Sequence, residues 1–188
     1  MSRIVFCIIA AAGMLCSCTG ADDSTPRRRG YPRLPLYDSC YARVDGAALH
    51  LEANCGADVT TDSAGRWITV RYPLYDAALY VTVTPAATAE ALHAAIDNRR
   101  ERIRLNLGGR EATTSHISSD GGFEAALVEA PGAGMPLQFV ATDGSGYVVS
   151  GALLLNAASG AAYDSIRPVE AALRRDIVHT LSRLGFDD

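Results

Sequence analysis

Few side chains in this sequence are arranged for a reaction, and the clearest group lies near the start, at Leu15-Cys16-Ser17-Cys18. An apolar residue, two small residues and then a cysteine form the pattern that receives a diacylglycerol on the last thiol. Arg3 supplies a positive segment before it, and Ile4 to Leu15 is an apolar run. At ~1.5 Å per residue this run is too short to span a ~30 Å hydrocarbon core comfortably as a helix. It reads as a signal peptide, residues 1–17, cleaved before Cys18. Cys16 cannot take that role, because Met14 and Leu15 would then occupy the positions that need small side chains. The alternatives are a soluble secreted chain cut nearby or an uncleaved anchor. The expectation is a lipid-modified Cys18 whose acyl chains anchor the chain at about 0.8 kcal/mol per buried CH₂.

An exported chain meets oxidising conditions, so Cys40 and Cys55 are expected to pair as a disulfide rather than stay as free thiols or half a metal site. Neither Cys-x-x-Cys nor His-x-x-x-His occurs, and His50, His93, His116 and His179 are dispersed, so no metal site is expected. Ser145 in Gly144-Ser145-Gly146 sits between two strand-like runs, where a hairpin turn fits better than a nucleophile elbow. Glu124 and Glu129 could imitate a catalytic carboxylate pair, but they flank a strand and read as its solvated ends. Trp67, Tyr72, Tyr75 and Tyr80 could form an aromatic platform for a ligand, or simply core and rim. No catalytic residue and no cofactor is expected.

Bulk properties set the frame. The chain has 188 residues, 48% hydrophobic and 20% charged, which suits about one globular domain. Its net charge is -4, and every basic side chain is arginine. That balance argues against nucleic acid as a partner. Residues 18–33 read as a tether, polar first and then basic at Arg27-Arg28-Arg29, which could meet anionic headgroups or be a solvated linker. Residues 34–188 read as the globular domain.

Within the domain, strands are expected over Leu34–Tyr41, Ala48–Ala53, Trp67–Tyr72 and Ala78–Thr84. A helix should follow, capped by Thr84 with Pro85 in its first turn, and end at Gly108-Gly109. Strands at Phe123–Val128, Leu137–Thr142 and Tyr147–Leu155 should form a meander, the last two joined across Asp143-Gly144-Ser145-Gly146. A final helix, capped by Asp164 or Ser165, carries an apolar stripe at Val169, Leu173, Ile177, Leu181 and Leu184. The fold class expected is α+β: a single-domain sandwich with a mainly antiparallel sheet covered by two amphipathic helices. Gly151-Ala152 is expected to let the last helix approach closely.

Gln138-Phe139-Val140-Ala141-Thr142-Asp143, Gly151-Ala152-Leu153, Asp164-Ser165-Ile166-Arg167-Pro168-Val169 and Asp176-Ile177 resemble the C-terminal half of the gliding motility lipoprotein GldD family of Bacteroidetes. Pro26 with Arg29-Gly30-Tyr31 resembles its Pro-Arg-Gly-Tyr segment after the lipobox. Trp67-Ile68 with Tyr72-Pro73 resembles its central motifs. The chain departs from the family at Asn54-Cys55-Gly56-Ala57, at Arg104 to Ala112 and at Ser150, as a divergent member would. The resemblance implies a non-catalytic envelope lipoprotein, facing the periplasm and associated with gliding motility and type IX secretion. Its partners would be membrane lipid, through Cys18, and envelope proteins of that machinery. Arg29-Gly30-Tyr31 is the candidate contact segment, since packing does not explain an aromatic residue between Gly30 and Pro32. Two other readings compete: a periplasmic module that binds a small apolar ligand, and a hydrolase, which would need a serine, a histidine and a carboxylate in contact.

Overall fold

The computed structural model describes residues 37–46, 48–156 and 163–186, with 163–166 described in backbone only. These residues lie in one compact unit, Arg33–Asp188. The signal segment, Cys18, the 18–33 tether and Arg29-Gly30-Tyr31 lie outside them.

In chain order the elements are β1 (Tyr41–Asp45), β2 (Leu49–Asn54), β3 (Asp58–Thr61), β4 (Trp67–Tyr72), β5 (Ala77–Pro85), α1 (Ala89–Leu107), β6 (Thr113–Ser118), β7 (Glu124–Glu129), β8 (Leu137–Thr142), β9 (Tyr147–Leu155), α2 (Tyr163–Ser182) and β10 (Gly185–Phe186). Seven strands form one sheet in the order β3-β4-β5-β9-β8-β7-β6, and β1-β2-β10 form a second. Every pairing is antiparallel. The fold is an α+β sandwich, mainly sheet.

Period-two alternation decides which side chains go where. On β5, Ala77, Leu79, Val81 and Val83 are buried, and they face Leu155, Leu153, Gly151 and Val149 of β9. That face of the large sheet packs against the small sheet, through Leu49 and Leu51, and against α2. The whole expected stripe of Val169, Leu173, Ile177, Leu181 and Leu184 is buried there. The opposite face carries α1, through a smaller cluster of Ala86, Leu92, Val140 and Val148 with Ala95, Ile96 and Ile103 partly buried beside it. The two helices therefore sit on opposite faces of the large sheet.

Local chemistry explains most boundaries. Asp143 accepts from the backbone N–H groups of Ser145, Gly146 and Tyr147 at 2.8–3.1 Å, while Gly144 takes a positive φ of 75°, and this closes the β8–β9 hairpin. Burial pushes the Asp143 carboxyl up, but these bonds together outweigh it and hold the group below its usual range. Gly108, left-handed at φ 57°, ends α1.

Several expected boundaries move. Of the strand expected over 34–41, residues 34–36 lie outside the described residues and 37–40 are not in a strand; β1 begins at Tyr41, where its register against β2 runs from Tyr41↔Asn54 to Asp45↔His50. Helix α1 starts at Ala89, and Thr88 caps it by accepting from the Ala91 N–H at 3.1 Å. Thr84 and Pro85 stay in β5 because pairing with β9 continues to Pro85↔Tyr147. Helix α2 already begins at Tyr163, so Asp164 and Ser165 lie within it, and so does Pro168. Gly151 does not admit a helix. A Cβ there would run into the Phe139 ring, which fills the space across the β8–β9 pair.

Candidate functional site

The described residues contain no cluster of three or more His, Cys, Asp or Glu side chains that could hold a metal. Cys40 and Cys55 form a disulfide with Cα atoms 5.4 Å apart, just outside the β1–β2 pair. Ser145 donates to Asp143 at 2.7 Å within the hairpin turn. Glu124 and Glu129 stand at opposite ends of β7, about 17 Å apart at roughly 3.4 Å per residue. Glu129 is clamped by two guanidinium nitrogens of Arg174, Nε and Nη2, at 2.7 and 2.8 Å, and this holds its carboxyl below the ordinary range. Glu124 accepts from Ser118 at 2.9 Å. No carboxylate pair is formed.

One polar cluster leaves no local signal in the sequence, because its contacts are long-range: Tyr41 and Asp176 are 135 residues apart. The Tyr41 hydroxyl donates to Asp176 at 2.8 Å, and the Tyr41 ring stacks on His179 at 3.6 Å. His179 Nε2 meets Glu52 at 2.7 Å, while Thr180 donates to the Glu52 carbonyl at 2.7 Å. Asp176 is only 7% exposed. Burial pushes its carboxyl up, against hydrogen bonds from Tyr41 and Asn54. Burial, then the bond to Asp176, pushes Tyr41 up to about 12. These groups spend their hydrogen-bonding capacity on one another, joining the small sheet to α2. His179 is engaged by a carboxylate and an aromatic ring, and Ser182 donates to its backbone carbonyl at 2.8 Å. That is a structural join rather than a nucleophile with its base.

The aromatic set of the sequence splits in two. Tyr72 and Tyr75 are buried. Trp67 is 68% exposed and Tyr80 is 49% exposed. Because Trp67 pairs with Thr82 and Thr69 with Tyr80, both aromatics stand on one face of adjacent strands, in diagonal positions. It is the face that carries α1. The Asp62 carboxylate accepts from the Arg66 and Trp67 N–H groups, each at 2.7 Å, and fixes the chain where it enters β4.

Helix α1 divides this face into two open clefts. One, of about 380 Å³, has Ala126, Val128 and Val140 on its floor, Ile96 and Ile103 on the helix wall, and Arg100 at its rim. The other, of about 220 Å³, lies between Tyr80 and Thr82 on the sheet and Arg99, Arg102 and Asn106 on the helix. Gln138, buried at the floor of the second cleft, accepts from Asn106 at 2.8 Å. Small-molecule sites bury most of their ligand within ~300–1,000 Å³. Two open clefts on either side of one exposed helix suit surface docking better than enclosure.

Among solved structures, the solution structure of cyanobacterial PsbP (CyanoP) from Synechocystis sp. PCC 6803 is similar, with a TM-score of 0.41 and 10% identity, over 78% of this chain and 95% of that one. No curated protein matches. The model of the family described as "Gliding motility lipoprotein GldD" matches residues 21–186, which is nearly the whole chain after Cys18 and includes every described element. The chain belongs to the gliding motility lipoprotein GldD family.

Proposed function

We propose that this protein is a non-catalytic component of the gliding motility and type IX secretion machinery, held on the envelope by acyl chains on Cys18 and facing the periplasm. The family match over residues 21–186 carries this reading. The internal use of the polar cluster around α2 supports the non-catalytic part. In this reading Arg29-Gly30-Tyr31 remains a candidate contact segment between anchor and domain, and the domain holds partner proteins close to the membrane.

The test is deletion and complementation in a gliding host. Loss of colony spreading and of cargo delivery to the cell surface is expected, restored by the wild-type chain. Unchanged spreading and delivery in the deletion strain would refute the machinery role.

A further inference from the structure

Helix α1 carries four arginines between residues 99 and 104, and they divide into two kinds. Arg100 lies 4.0 Å from Asp97, and Arg104 is bound by Glu101 at 2.6 Å, so the outward pair is matched by carboxylates one turn back. Arg99 and Arg102, three residues apart, line the cleft with Tyr80. Among the described residues neither forms an ion pair: Arg99 donates to Thr84 at 3.2 Å, and Arg102 donates to Asn98 at 3.3 Å. Arg99 is partly withdrawn from water and faces the like charge of Arg102. Two arginines one turn apart thus line the cleft with no carboxylate partner among the described residues, in a chain whose net charge is -4. Tyr80 lines the same cleft, and Trp67 stands on the same face paired with the lining residue Thr82; the core uses neither of these large aromatics. Trp, Tyr and Arg are the residues most enriched where protein partners bind tightly. Arg presents a planar fork that takes a carboxylate with two hydrogen bonds.

We infer that the cleft between α1 and strands β5 and β9 docks a partner protein through an acidic segment, whose carboxylates Arg99 and Arg102 receive and whose apolar part lies against Tyr80 and extends over the same sheet face toward Trp67. This rests on the partner-binding reading above and gives it a surface and a chemistry. The unmatched charge pair selects an acidic occupant, and the aromatic area beside it selects a segment with apolar side chains as well.

A photo-crosslinking amino acid placed at Thr82, at the cleft's sheet wall, tests this in the native envelope with the full lipidated chain. The crosslinked peptide is identified and its sequence read. The expected partner segment is rich in Asp and Glu. R99E/R102E should reduce crosslinking at least about tenfold, the size of effect that charge reversal at a docked pair produces. R100E/R104E, on the matched arginines, should leave it within about twofold. Changing the partner's acidic residues to lysine should restore crosslinking to R99E/R102E, which no folding defect would allow. A crosslinked segment without acidic residues, crosslinking to a glycan instead of a protein, or equal loss in the two arginine variants would overturn the inference. If the deletion strain loses gliding while R99E/R102E glides normally, this surface is wrong and the machinery role stands. If deletion itself has no effect, the role has failed on its own.

Discussion

At the scale of single residues, Asp176 shows how this chain uses its polar groups. It is part of the Asp176-Ile177 motif, and its neighbours explain its presence: the Tyr41 hydroxyl donates to it from the small sheet, and Ile177 is fully buried beside it. Burial raises its carboxyl pKa above the unfolded value of about 3.9. Below that value both folded and unfolded states keep the proton. As pH rises, the unfolded chain ionises first, so the native state binds more protons and loses stability until its own carboxyl ionises. Asp176→Asn keeps an acceptor for Tyr41 and removes the titration. Thermal melts between about pH 4 and pH 7 should show the variant gaining on the wild type as pH rises, then a constant gap. A gap independent of pH would show that burial does not penalise the Asp176 charge. Trp67 is the opposite case. It also belongs to a motif, but it is exposed, and nothing in the core accounts for it. The sequence marked both residues alike. Their difference lies in long-range contacts, which periodicity does not record.

At the scale of elements, the legible parts are those whose signals are local. The β8–β9 hairpin was readable because Asp143-Gly144-Ser145-Gly146 carries its own turn chemistry, and α2 because its apolar stripe repeats at helical spacing. Strand β3 was invisible, since Asp58–Thr61 is polar and exists through pairing with β4 at a sheet edge. Strand β10 has two residues and exists through its pairing with β2. It also needs Gly121, where a Cβ would run into the Gly185 backbone. The two clefts beside α1 were equally hidden, because no residue count places a helix over particular strands. The β1–β2 hairpin combines local and distant signals. Strand β1 pairs with β2 and is largely exposed, so it depends on the Cys40–Cys55 bridge and on the Tyr41 contacts next to it. A bridge that closes a loop of this length constrains the unfolded chain by about 3 kcal/mol. Cys40→Ala/Cys55→Ala should lower the unfolding free energy by about that amount, and amide exchange in β1 should quicken more than in β5. A loss below about 0.5 kcal/mol, or equal quickening in both strands, would show that the hairpin holds without the bridge.

At the scale of the whole molecule, the described domain has its own core on both faces of the large sheet. No helix among the described residues is long and apolar enough to cross a membrane. The chain's net charge of -4 opposes attraction to an anionic lipid surface. Arg27-Arg28-Arg29 could return only about 1 kcal/mol each near such a surface, too little to hold the chain there alone. In the proposed reading, anchoring is the task of the acyl chains on Cys18. Folding should be indifferent to them, because neither hydrophobic cluster needs a lipid to complete it. Cys18→Ala should move the protein from the membrane fraction to the soluble fraction. It should also lose metabolically incorporated palmitate and fail to complement the deletion strain. Its Tm should stay within about 2 °C of that of the lipidated protein in detergent. Retention on membranes would assign the anchor elsewhere. Release with a Tm several degrees lower would mean that an acyl chain packs against the domain. The apolar cleft at Ile96, Ile103 and Val140 is where such a chain would then be sought. Release with an unchanged Tm separates the two halves of the design, a self-sufficient docking domain and a lipid that only sets its address.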